Sequence, residues 1–219
     1  MRKFGDFWIP DVDARWNGHW WKSLRLYSWG RGPKIADLEE ALGYCRRWGI
    51  ALDGGANVGA YSRVLMQRFE RVHAFEPAPD TFACLERNLE AWNAGARVRR
   101  YQKALSDRVE RVGLVPKPSG RSPSRRVIEG GDIEAVRIDD LGLEDLDFLK
   151  LDVEGYEERA LRGAEETLVR FRPLVMFEDK PKKTVHFGDV KGAHRYLESL
   201  GMKPIAGIGP KQIDWLYAF

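Results

Sequence analysis

The run Asp53-Gly54-Gly55-Ala56-Asn57-Val58-Gly59 follows a short apolar segment (residues 49–53) and leads into Val58, Tyr61, Leu65 and Phe69 at helical spacing. A glycine turn between a strand and a helix gathers free N–H groups and the positive end of the helix dipole where no side chain blocks a ligand. A carboxylate or a phosphate is stabilised in such a place. Glu76 ends the next apolar segment (residues 71–76), 21 residues after Gly55. An acid there can accept hydrogen bonds from both hydroxyls of a ribose. Pro77 stops the strand, and Ala78 leaves room for a ring. The third group is Lys150, Asp152 and Glu154, within DFLKLDVEG (147–155). Lys150 and Asp152, two apart on a strand, share one face. Glu154 lies just past the strand end, and Glu157 falls in the first turn of the following helix. Asp152 could face a cofactor amine or an acceptor, with Glu154 as general base or hydroxyl-positioning group and Lys150 keeping the carboxylates ionised. The structural alternative has Asp152 capping the helix, Glu154 and Glu157 complementing its dipole, and Lys150 in an ion pair. Glu178, at the end of residues 173–178, lies on the same expected edge, either lining an acceptor pocket or solvated.

The spacing discriminates between cofactors. Dinucleotide binding wants G-x-G-x-x-G, and glycines at 54, 55 and 59 do not supply it. Asp53, Gly55 and Gly59 instead make D-x-G-x-x-x-G, the pattern of Rossmann-like methyltransferases, in which the methionine part of the cofactor lies over the glycines. S-adenosylmethionine is therefore favoured over a dinucleotide and over a plain turn. The carboxylates Asp139, Asp140, Asp152, Glu154 and Glu178 have no spacing that specifies a metal, and none is expected. Asp139 and Asp140 read as a polar turn.

Strands alternating with helical stripes position these groups. Ile35, Leu38, Leu42 and Cys45 mark a helix over 35–48 that Gly49 ends. Phe82, Leu85, Leu89 and Trp92 mark another, and Ala160, Leu161, Ala164, Leu168 and Phe171 a third. Short strands are expected over 49–53, 71–76, 96–102, 147–152 and 173–178, a short helix over 190–200, and two β segments near the C-terminus. That rhythm predicts a mostly parallel sheet covered on both faces, with ligands at the carboxyl ends of its strands. Residues 103–146 break the rhythm with short β-like pieces around PKPSGRSPSRR (116–126), read as a mobile basic loop. Residues 1–34 read as an irregular aromatic-rich extension holding five of the eight Trp, and 35–219 as the catalytic domain.

Composition bounds the function. The 219 residues are 43% hydrophobic and 32% charged, an ordinary soluble balance. No apolar run approaches a membrane span, and the start does not read as a secretory signal. Cys45 and Cys84 form no metal-type spacing and suit a reducing cytoplasm. A net charge of +3 does not by itself predict nucleic-acid binding. Arg121, Arg125, Arg126, Lys180, Lys182 and Lys183 could draw an acidic acceptor or nucleic acid, or be solvated surface. His186 is a weaker acceptor-side candidate.

Taken together, LDGGANVGAYS (52–62), AFEPAPDTFACLERNL (74–89), KALSD (103–107), RIDDL (137–141), FLKLDVEGYEERALRGA (148–164) and RPLVMFE (172–178) resemble the FkbM-type S-adenosylmethionine-dependent methyltransferases. The resemblance implies a class I methyltransferase fold: a seven-stranded, mostly parallel Rossmann-like sheet with helices on both faces and the last strand antiparallel. It implies S-adenosylmethionine as cofactor and O-methylation of a sugar or other small molecule. By match, Asp53, Gly55 and Gly59 hold the methionine part and Glu76 the ribose; Lys103, Ala104 and Leu105 bound the adenine; Asp152 and Glu154 stand beside the transferred methyl. The full cofactor set expected is Asp53, Gly54, Gly55, Ala56, Asn57, Val58, Gly59, Glu76, Pro77, Lys103, Ala104, Leu105 and Asp152. The expected partner is a small-molecule or glycan acceptor, with no membrane. A nucleic-acid methyltransferase and a non-catalytic S-adenosylmethionine-binding module are the alternatives; L-D-V-E-G stands where base-amine methylation would want an N-P-P-Y-type tetrapeptide.

Overall fold

Five segments pair in parallel; the four inner ones are apolar and almost wholly buried, as a sheet with helices on either side provides, and the edge one carries the exposed Arg99. They are β3 (Ile50–Gly54), β4 (Arg71–Phe75), β5 (Val98–Tyr101), β10 (Phe148–Leu151) and β11 (Leu174–Glu178). With β12 (Lys203–Ile208) and β13 (Asp214–Ala218) they form a seven-stranded sheet in the order β12-β13-β11-β10-β3-β4-β5. β13 runs antiparallel to both of its neighbours, giving the single reversed strand that the sequence led us to expect. This computed structural model describes residues 1–11, 33–116, 125–179, 191–210 and 212–219. Trp16, Trp20, Trp21, Trp29, His19, Arg121, Lys180, Lys182, Lys183 and His186 lie outside the described residues.

Helices cover the sheet through their apolar stripes. Leu65 of α2 (Ala60–Arg68) and Phe82, Leu85 and Leu89 of α3 (Pro79–Ala91) pack with Ala51, Val72 and Phe148 on one side. Ala160, Leu161 and Leu168 pack with Leu52, Leu149 and Phe177 on the other. Each such side chain contributes roughly 1.5–3 kcal/mol of burial.

Four expectations are corrected. The first helix, α1, is Pro33–Leu42 and stops well before Gly49: past Gly43 the N–H groups of Tyr44 and Cys45 donate to the carbonyls three residues back, of Ala41 and Leu42, so the helical ladder gives way to a tight turn. The single helix expected over 160–171 is two, α4 (Glu157–Arg162) and α5 (Glu165–Phe171). Gly163 forces the break: its carbonyl accepts from the Asp139 N–H, and a Cβ there would lie 2.0 Å from the Ser106 carbonyl oxygen. Asp139, read as a turn residue, also accepts from the N–H and hydroxyl of Thr167 and so holds the start of α5.

The third correction concerns the N-terminus. Within the expected irregular stretch, β1 (Arg2–Phe4) and β2 (Phe7–Ile9) make an antiparallel hairpin. Phe7 meets Trp92 edge to face at 5.0 Å, and Asn88 of α3 bonds both the N–H and the carbonyl of Trp8. The fourth is the largest. The β-like pieces expected between 103 and 146 are indeed strands, but with two further strands they form a second sheet of β6 (Ala104–Leu105), β7 (Glu110–Pro116), β8 (Arg125–Glu129) and β9 (Ile133–Val136), in the order β6-β9-β7-β8. Arg125 and Arg126 are therefore strand residues, not loop residues. The helix over Gly192–Ser199, α6, completes the described elements.

Candidate active site

The glycine turn is tied to the end of β4. The N–H groups of Gly55 and Ala56 both donate to the Phe75 carbonyl at 2.9 Å, and the Asn57 N–H donates to Glu76 Oε2 at 3.0 Å. Gly55, Asn57 and Gly59 have φ of 76°, 53° and 93°, so the turn passes repeatedly through the left-handed region. At Gly55 only glycine fits, since a Cβ would stand 2.0 Å from the Asp152 carbonyl oxygen. Gly55→Ala is therefore expected to cost about 2 kcal/mol or more, seen as a lower melting temperature, by pushing the turn away from β10.

Beneath the turn lies a buried ion pair. β10 and β3 pair in register, placing Lys150 opposite Asp53. Lys150 Nζ lies 3.0 Å from Asp53 Oδ1 and donates to the carbonyls of Gly54 and Gly55 at 3.1 and 3.0 Å. Ser62 of α2 donates to the other Asp53 oxygen at 2.7 Å. Burial alone would lower the Lys150 pKa, but the carboxylates of Asp53 and Asp152 outweigh it and hold the amine above its usual value.

A cleft of about 790 Å³, part of it open to solvent, runs between the carboxyl ends of β3, β4 and β10 and the second sheet. Of the residues expected to bind cofactor, Gly55, Asn57, Glu76, Pro77, Lys103, Ala104, Leu105 and Asp152 line it, and so does Glu154. Asp53, Gly54, Ala56, Val58, Gly59 and Lys150 do not line it. They shape the turn from behind: Asp53 is wholly buried, Val58 packs under the N-terminal hairpin, and Gly59 abuts Leu85 and Trp92. Glu178 is 2% exposed with Lys34 Nζ at 3.6 Å, so it is not a solvated strand end.

Glu76 accepts from the Ala78 N–H at 2.9 Å through Oε1, as it does from Asn57 through Oε2. Burial pushes its carboxyl up to about 7, against the pull of those two N–H groups and of Arg125 and Lys150. Each oxygen keeps acceptor capacity beyond its one backbone bond, which suits a vicinal diol. Further along, Glu154 adopts φ 59° beside Gly155 at 103°. The Glu157 carboxylate pins that bend by accepting from the Val153 N–H at 2.9 Å. A non-glycine residue kept in the left-handed region costs energy that tends to be stored at functional sites.

Several lining residues were not read as site residues: Phe75, Thr81, Leu114, Val127, Val153 and Tyr156. Leu114 and Val127 are cross-strand partners in the second sheet. Among the described residues, no three His, Cys, Asp or Glu side chains gather as a metal site requires, and no helix is long and apolar enough to cross a membrane.

The model of the methyltransferase FkbM domain matches residues 53–204. The chain belongs to the FkbM methyltransferase family. It is 30% identical over 155 residues to methyltransferase sdnD of Sordaria araneosa, covering 52% of this chain and 60% of that one. It is 28% identical over 149 residues to the 2-O-methyltransferase NoeI of Sinorhizobium fredii, covering 56% and 60%. The methyltransferase FkbM structure from Methylobacillus flagellatus superposes with a TM-score of 0.54 at 18% identity, over 95% of this chain and 57% of that one. The matches thus span about 60% of the length of these two relatives. The fold is that of class I methyltransferases, and S-adenosylmethionine is the cofactor of this FkbM family member. The cleft fits it: Glu76 offers a two-oxygen acceptor, Pro77, Ala104 and Leu105 offer apolar walls for a ring, and the glycine turn leaves room for the methionine part.

Proposed function

We propose that this chain methylates a hydroxyl of a sugar or another small molecule, and that it does so in the cytoplasm. The observation that carries the reading is one cleft lined by Glu76, with its two acceptor oxygens, together with Asp152 and Glu154. The name of the relative NoeI, a 2-O-methyltransferase, supports a hydroxyl acceptor.

When bound, S-adenosylmethionine supplies a methyl group on an already activated sulfonium, so the protein chiefly aligns and handles a proton. Glu76, with Asn57 and Ala78 fixing its carboxylate, holds the ribose. Pro77, Lys103, Ala104 and Leu105 bound the adenine. Asp152 orients the methionine amine or the acceptor. Glu154 takes the hydroxyl proton through its carboxylate, aimed by the left-handed bend that Glu157 pins. Lys150 and Asp53 are positioning residues: Lys150 holds the carbonyls of Gly54 and Gly55, and Asp53 holds Lys150.

Calorimetric titration with S-adenosylhomocysteine, with NAD as control, tests the cofactor. Transfer of labelled methyl to hydroxylated sugars, with DNA and RNA for comparison, tests the acceptor. Glu154→Gln should lower turnover about 100-fold while leaving S-adenosylhomocysteine affinity within a few-fold. Wild-type turnover in that variant would remove Glu154 as the base. Tight binding without transfer to any hydroxyl would favour a non-catalytic module.

A further inference from the structure

The cleft has two walls of different origin, and one ion pair joins them across its mouth. One wall is the turn after β4 and the start of α3, represented by Glu76, Pro77, Ala78 and Thr81; the other is the second sheet, represented by Leu114 and Val127. Arg125, first residue of β8, also lines the cleft and reaches across to α3. Its Nη1 donates to Asp80 Oδ1 at 2.5 Å and its Nη2 to Asp80 Oδ2, a bidentate clasp, with Thr81 Oγ1 3.5 Å away.

The hairpin that carries Arg125 is anchored at its opposite end. There Arg159 of α4 lies 3.3 Å from Glu110 and 3.6 Å from Glu129. Gly131, at φ 141°, packs directly on the backbone of Val112 and Gly113, so the turn into β9 is close-packed. The β7–β8 hairpin is thus fixed at the Arg159 end, while Arg125 and Asp80 hold its cleft end. The clasp stands over the end of the cleft that contains Glu76.

We propose that Arg125 is a positioning residue for the cofactor: its clasp on Asp80 ties the second sheet to α3 beside Glu76 and gates exchange of the adenosyl group. The inference rests on the proposed placement of the ribose at Glu76. Among the described residues, Arg125 from β8 and Lys150 from β10 both act on Glu76. Of these two, Arg125 is the one that lines the cleft. Asp80 spends both oxygens on Arg125, which keeps this carboxylate from repelling Glu76. A bidentate guanidinium–carboxylate pair is directional and stronger than a neutral hydrogen bond, and Lys does not replace it in geometry.

The test is the dissociation rate and the pH dependence of affinity for S-adenosylhomocysteine, measured on the full chain for wild type, Arg125→Met, Arg125→Lys and Asp80→Asn. Arg125→Met should release S-adenosylhomocysteine roughly tenfold faster and move the midpoint of the affinity–pH curve to higher pH. Asp80→Asn should also speed release but leave the midpoint no higher than in wild type, because the cation remains. Arg125→Lys should recover the midpoint and only part of the slow release. A purely structural role would move neither the midpoint nor its rescue by Lys. Wild-type binding with an unchanged rate and midpoint in Arg125→Met would overturn this proposal alone. Failure of the wild type to bind S-adenosylhomocysteine would overturn it together with the cofactor placement.

Discussion

Lys150→Met should destabilise the protein by about 3–5 kcal/mol, the usual consequence of leaving one member of a buried ion pair alone. The Asp53 side chain is 0% exposed and that of Lys150 6%, so solvent cannot take over from the lost charge. The carbonyls of Gly54 and Gly55 lose their common donor at the same time. Such a loss is a large share of the 5–15 kcal/mol that holds a typical domain. The check is urea denaturation, read as a fall in the midpoint at unchanged slope. Lys150→Met combined with Asp53→Leu should recover part of the loss, since the orphaned carboxylate is then gone. A single-variant cost under about 1 kcal/mol would mean that water reaches the pair, in the manner of a surface ion pair.

Glu76→Gln should weaken S-adenosylhomocysteine binding on the order of a thousandfold at pH 8, because two hydrogen bonds to a charged acceptor are lost and the amide group opposes a backbone N–H. Wild-type affinity should itself fall as pH drops below about 7, by up to roughly tenfold per unit, since binding requires the ionised carboxylate. The variant should show no such slope. In the unliganded protein the sign is opposite. The folded-state pKa lies above the unfolded value, so the stability this group contributes is complete below about 4.5 and is lost as pH rises through about 7. Melting curves with and without ligand should therefore diverge above pH 7. A flat affinity profile for wild type from pH 5 to 8 would show that Glu76 does not hold the ribose.

The strand-helix alternation and the glycine turn were legible because both are local: period, glycine spacing and a terminal acid lie within a few residues of each other. Depth was not. Asp53 and Lys150 read as site residues because they sit at strand ends beside the turn. Their facing each other beneath it depends on the register of β10 against β3, which no local pattern encodes. The second sheet was missed for the same reason. Its first strand, β6, has only two residues and pairs with β9 rather than with a sequence neighbour, and its apolar cluster includes Tyr156 and Val153 from the loop after β10. Arg125 looked like one basic residue among several, and only Asp80 across the cleft gives it an address. Gly163 sat inside a regular helical stripe, so the break there became visible only with Ser106 against it.

The placement of the second sheet between β5 and β10 in the chain also bears on how the molecule assembles. The central pairing of the main sheet joins segments far apart, with Lys150 and Gly54 separated by 96 positions in sequence. Closing so long an intervening chain is entropically costly and slow. The glycine turn, Glu76 and the start of α3 belong to the early half, whereas Asp152 and Glu154 arrive only when β10 docks. A chain emerging from the ribosome therefore has no complete cleft until Glu154 has been made. Because the ligand site is complete only once β10 has docked, bound cofactor should leave the rate of folding nearly untouched and act instead by slowing unfolding.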